Sequence, residues 1–155
     1  MTHARQTIRE AAAVLLKASP IKWVSVFETR IPTSRAVLPY LLIFSDGESV
    51  ENVGQNLAGV YLRSVNITVA GRLRLAGNND TQTIEDSMDA LAEEVETKLT
   101  FTTLQASVAA LQSLMLNSTE MSVVINEDDA PQYAEVTLSY TARYVTAEGA
   151  PGTLI

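Results

Sequence analysis

Between Ser64 and Leu75 the chain alternates without a break. Val65, Ile67, Val69, Gly71, Leu73 and Leu75 take one parity, and Ser64, Asn66, Thr68, Ala70, Arg72 and Arg74 take the other. Side chains of an extended backbone point alternately to opposite sides, so this run predicts a strand with one dry face and one polar face. A dry face of that length has to be covered by something else in the chain. Tyr133 to Val145 repeats the pattern with Ala134, Val136, Leu138, Tyr140, Ala142 and Tyr144. Thr119 to Ile125 repeats it over a shorter span with Met121, Val123 and Ile125, and Trp23 to Arg30 also alternates. Tyr40 to Phe44, opened by Pro39, is an unbroken apolar run, which suits a strand buried on both faces.

The cover is supplied by helical patterns. Thr7 to Lys17 places Ile8, Ala12 and Leu15 on one stripe, and Ser19–Pro20 stops it because the residue before proline leaves the α region. Thr81 to Leu99 carries Ile84, Met88, Leu91, Val95 and Leu99 on one stripe, with Asn79 and Gln82 fitting a capping box. Leu104, Val108 and Leu111 continue at helical spacing and suggest a shorter helical segment. Turn signals stand at Ser45–Gly47, at Gly77–Thr81 and at Glu127–Pro131. Glu48 to Gly59 is polar, contains two glycines and has no period, so it reads as a long loop, of the kind that carries function, or as the tip of an excursion between strands. The sum is an α+β fold: one mixed or antiparallel sheet with two main helices packed on one face. A single domain is expected over residues 1–146, with an extended tail over 147–155.

Composition narrows the function classes. The chain has 155 residues, no cysteine and a formal charge of −7. Disulfides, thiolate nucleophiles and Cys-based zinc sites are thereby excluded. The acidic balance argues against broad phosphate binding, which needs clustered Lys and Arg. No apolar run reaches spanning length and Met1–Arg9 lacks a signal-peptide pattern, so no membrane partner is expected and the chain should remain in the cell that makes it. His3 is the single histidine and has no partner residues near it in sequence to make a base or ligand. Asp86, Asp89 and Glu93 fall at i, i+3 and i+7, but without an inward position they read as a solvated helix face. The Glu127–Asp129 run lacks the ligand alternation of a calcium loop. Phosphate-loop and nucleophile-elbow patterns are missing, so no catalytic residue, cofactor or metal is assigned and the chain is read as a non-enzyme.

Four places in order carry a resemblance. Ile8 and Arg9 lie in an N-terminal helix that leads to a strand and then Arg30. Leu38–Pro39 precedes Tyr40–Phe44 and its acidic follow-on, Asp46 and Glu48. The main helix carries Met88, Asp89, Leu91, Val95 and Glu96. Leu116 to Glu120 is followed, after an acidic turn, by Ala134 to Tyr144. Over about residues 5 to 146 this succession resembles the tail terminator family of long-tailed phages, the minor tail protein U type.

The resemblance implies a hexameric ring of identical subunits at the head-proximal end of the tail. Such a ring caps the tail tube, stops its polymerisation and offers a surface to the head completion or connector protein, while DNA passes through the lumen without specific binding. Its partners are therefore other copies of itself, the tube protein and the head-side protein. A head–tail joining protein of similar fold is the alternative. Arg63, Arg72 and Arg74 of the long strand have two readings, edge protection by charge or pairing with an acidic neighbour. Ranked by exposure and charge, the expected interface residues are Arg30, Glu48, Arg63, Arg72, Arg74 and Arg143. An exposed edge of the long strand, or of the strand ending at Val145, is expected to meet the neighbour. The Glu48–Gly59 stretch and the tail are expected to meet the tube or a neighbouring subunit.

Overall fold

The computed structural model describes residues 2–18, 25–32, 37–53, 59–75, 81–125 and 131–155. Expectations for Trp23, for the Ser19–Pro20 stop, for the Asn79–Gln82 cap and for the turns at Gly77–Asp80 and Glu127–Ala130 lie outside the described residues. The chain runs α1 (Ala4–Lys17), β1 (Ser25–Phe27), β2 (Tyr40–Asn52), β3 (Val60–Arg74), α2 (Thr81–Lys98), α3 (Phe101–Ser107), β4 (Leu111–Ile125), β5 (Pro131–Ala147) and β6 (Ala150–Leu154). It is α+β, and the described residues form three helices and one mixed sheet in the order β1-β2-β3-β5-β4, with β6 paired to β5. β1 runs parallel to β2, and the other pairings are antiparallel. None of the described helices is long and apolar enough to cross a membrane.

The alternation of β3 does what its period requires. Val65, Ile67, Val69 and Leu73 are buried, and register puts Ala142, Tyr140, Leu138 and Ala134 of β5 beside them on the same face. Leu41 and Ile43 of β2 complete that face. One core forms where it meets Ile8, Ala12 and Leu16 of α1, Met88, Leu91 and Val95 of α2, and Leu104 of α3. Each buried aliphatic side chain of this size contributes about 1.5–3 kcal/mol. Gly71 has a specific task at this contact: a Cβ there would stand 2.4 Å from Leu91 Cδ2 and 3.0 Å from Leu41 Cδ2, so its missing side chain lets α2 lie close on the sheet. Tyr40 and Leu42 point to the opposite face and form a small second cluster with Ala70, flanked by Phe27 and Phe44. Burial of Tyr40 to Ile43 on both faces agrees with their unbroken apolar run.

Both helix starts that can be described are capped by side chains. His3 Nδ1 accepts from the Arg5 backbone N–H (3.3 Å), so this histidine is the N-cap of α1. Burial lowers its pKa first, and Arg5 and Arg63 push the same way against Glu48. At α3, Thr100 Oγ1 accepts from Thr103 N–H (3.2 Å) and Thr103 Oγ1 accepts from Thr100 N–H (3.0 Å), a reciprocal capping box.

Four expectations are corrected. Ser45–Gly47 is a bulge within β2 and not a turn, and β2 continues to Asn52, so Glu48–Asn52 is the outer part of β2 in a β2–β3 hairpin, which fits the excursion reading and not the loop. Its residues are polar because the arm runs past the core, leaving Ser49–Asn52 in contact with water at least in part. Leu111 starts β4 and not a helical turn, which makes β4 eight residues longer at its start than the Thr119–Ile125 run implied. The tail folds back as β6 after Gly149, whose φ of 70° reverses the chain, and Leu154 packs against the core. Finally, β3 and β5 are interior strands, each hydrogen-bonded on both sides, so neither offers the sheet edge that had been expected of them.

Candidate functional site

β4 is an open edge of the sheet. It pairs with β5 on one side only, over fifteen residues. At the opposite end β1 covers just Tyr40–Leu42 of β2. β4 also presents apolar side chains to water: Met115 is 56% exposed, Leu116 40%, Met121 39% and Val123 41%. A long edge with unpaired backbone groups and exposed apolar residues is a template for another chain unless it is blunted. Blunting is partial here. Bulges between Leu111 and Ser113 and between Leu116 and Ser118 interrupt the register, but Ser118 to Val124 is regular and carries Glu120 as its one charge.

Beside this edge lies a groove of about 210 Å³ lined by Glu96, Leu99, Thr100, Phe101, Leu114, Leu116 and Tyr140. The Tyr140 hydroxyl is buried and has no hydrogen-bond partner among the described residues. Burial, then the nearby Glu96 carboxylate, pushes its pKa well above the ordinary phenol value. The phenol therefore stays protonated and holds an unused donor beside the groove.

The residues expected at an interface are distributed differently. Glu48 and Arg63 turn inward: Arg63 Nη1 is ion-paired to Glu48, Arg63 Nε donates to Thr146 Oγ1 (2.8 Å), and Tyr144 Oη donates to Glu48 Oε2 (2.8 Å). Their side chains are only 7% and 13% exposed, so within the chain they close the end of the core. Burial and then the bond to Glu48 raise the Tyr144 pKa. Arg72 is held on the other face by Glu135 (Nε to Oε2, 2.6 Å) and the Tyr40 hydroxyl (3.2 Å), with its guanidinium 4.8 Å from the Tyr133 ring centre. Because β3 is interior, edge protection cannot be the task of Arg63, Arg72 or Arg74. Arg74 and Arg143 are exposed, and neither has an ion pair among the described residues. Arg30 bonds Asp46 (2.9 Å) and the Ser45 carbonyl and stacks 5.0 Å over Phe44.

Arg30 also belongs to a second concavity that the sequence reading did not single out. This notch, about 340 Å³, is lined by Arg5, Arg9, Arg30, Ser45, Asp46 and Gly47. It brings three guanidiniums around one carboxylate in a chain whose overall charge is −7. The Arg5–Arg9 spacing of i, i+4 was the available signal, but nothing in the sequence tied that pair to Arg30 or to the β2 bulge.

No protein family matches the chain, and no curated protein matches it. Among solved structures, it is similar to a chain of the virion of a native gene transfer agent particle, at 15% identity over 93% of this chain and 92% of that one, with a TM-score of 0.41.

Proposed function

We propose that this chain is a virion structural protein of the tail terminator type and that it works through protein contacts and not by catalysis. The observation that carries the reading is the β4 edge, with its one-sided pairing and exposed Met115, Leu116, Met121 and Val123. The ordered resemblance of residues 5 to 146 to the terminator family supports it. In a ring, β4 and the groove beside it meet a different surface on the next copy, a heterologous contact that closes when the rotation does. Six copies are proposed, as the family resemblance implies.

Termination then follows from asymmetry. One face of the ring fits the last ring of the tube, and the other offers no surface to a further tube subunit. The outer β2–β3 hairpin, with Val50 49% exposed beyond the core, is the proposed tube-facing arm. The head-side protein meets the opposite face, and DNA slides through a lumen whose acidic wall does not hold it. The test is electron microscopy of virions assembled without this protein. Tails of abnormal length support termination. Tails of correct length that lack heads would replace it with the joining role.

A further inference from the structure

The helical layer that covers the sheet carries opposite, unspent charge on its two sides. α1 packs against β1 and β2, and its Arg5 and Arg9 face the notch at the β2 bulge. Neither arginine has an acidic partner among the described residues, and Arg9 Nε is buried without a hydrogen bond. The first turn of α1 contains no acidic residue, so Arg5 and Arg9 add positive charge near the end of a helix that is already positive. Asp46 does not relieve them, because Arg30 and the Thr68 hydroxyl already occupy its oxygens. The isolated chain thus holds an electrostatic arrangement that an incoming carboxylate would stabilise.

The carboxylates are on the other flank. α2 packs against β5 and β3, and its Glu96 accepts from Thr119 of the edge strand β4 (3.3 Å). Glu85, Asp86, Asp89 and Glu93 are exposed on this helix and have no cationic partner among the described residues. Asp89 and Glu93 are spaced i, i+4, as are Arg5 and Arg9, so each pair presents its charges roughly 6 Å apart along its helix. Helix packing puts the basic notch at the β1–β2 side and the acidic helix over β3 and β5. No ion pair joins the two within the chain among the described residues.

We propose that the Arg5–Arg9–Arg30 notch receives the Asp89–Glu93 stripe of a second copy of this chain, beside the β4 edge. The contact is heterologous, basic patch to acidic patch, and each copy keeps one of each for its next neighbour, which is the requirement for a closed ring. It rests on the ring reading above and adds the polarity and the partner of the contact.

Charge reversal tests it with the full chain, assembled alone or on tail tubes and followed by sedimentation velocity, with circular dichroism to verify folding. Arg5→Glu/Arg9→Glu and Asp89→Arg/Glu93→Arg should each remain folded and lose self-association by about tenfold or more, most steeply at low salt. Mixing the two variants should restore assembly, because each supplies the complement the other lacks, and both reversals in one chain should restore it as well. Rings unaffected by either reversal, or folded single variants that do not recover on mixing, overturn this contact and leave the β4 edge standing. A wild-type chain that stays monomeric in every arm removes the ring reading and this contact together. If the notch variant loses binding to duplex DNA while its rings persist, the notch belongs to nucleic acid and the inference is wrong.

Discussion

Replacing Glu48 by alanine separates an internal role from an interface role. Its carboxylate serves two groups at once, the Arg63 guanidinium and the Tyr144 hydroxyl (2.8 Å). Tyr144 is fully buried and cannot turn to water when the acceptor goes, and Arg63 is mostly buried. Breaking a buried ion pair from one side costs about 3–5 kcal/mol, and stranding a buried hydroxyl costs about 1–3 kcal/mol. Arg63 keeps its bond to Thr146 and some access to solvent, and the two penalties overlap. A loss of about 3 kcal/mol is therefore expected, or roughly 6–12 °C in Tm for a chain of this size. The assay is urea unfolding of Glu48→Ala at low protein concentration. Glu48→Gln should lose less, since the amide still accepts from Tyr144. Removing both charges in Glu48→Leu/Arg63→Met should cost less than the sum of the single changes, because neither ion is left alone. A Glu48→Ala chain within about 0.5 kcal/mol of wild type would refute the burial argument and return Glu48 to the surface.

Gly71→Ala should destabilise by about 1–3 kcal/mol, since its methyl would collide with Leu91 Cδ2, and Leu91→Ala in the same chain should recover part of the loss in a double-mutant cycle. His3 caps α1 only when Nδ1 is unprotonated, and its folded pKa lies below the ordinary 6.5. The unfolded chain therefore takes up the proton first as pH falls. Stability should be full above 6.5 and decline as pH drops through the lowered folded value. His3→Ser, which caps without titrating, should flatten that part of the profile, and an unchanged slope would remove His3 as its source. Deleting 150–155 should lower Tm by several degrees, because Leu154 packs on the core and β6 pairs with β5; an unaltered Tm would mean the tail is dispensable to the fold.

What could be read from the sequence was whatever lies over the core. Val65 to Leu73 and Ala134 to Tyr144 keep strict period two because one face of each is sealed by helices. The stripes of α1 and α2 follow for the same reason. The outer half of β2 left loop and strand excursion both open, because Ser49, Glu51 and Asn52 stand beyond the core, where no face demands apolar residues. The start of β4 was read as helix because Leu104, Val108 and Leu111 fall at i, i+4 and i+7, although the first two close α3 and the third opens a strand. Bulges at Gln112 and Asn117 then break the alternation that would have revealed it. Strand order was not legible at all. That is why Arg63 and Arg72 were assigned to an edge, while β4 and the Arg5–Arg9 pair were passed over.

The account depends most on β4 being the surface through which copies meet. Leu116→Lys/Met121→Lys/Val123→Lys places three charges on that edge without touching a fully buried side chain. Electron microscopy of the wild-type and triple-variant chains, alone and with tail tubes, measures the consequence directly. The account predicts closed rings for the wild type and folded monomers for the variant. Rings formed equally well by the triple variant would contradict it.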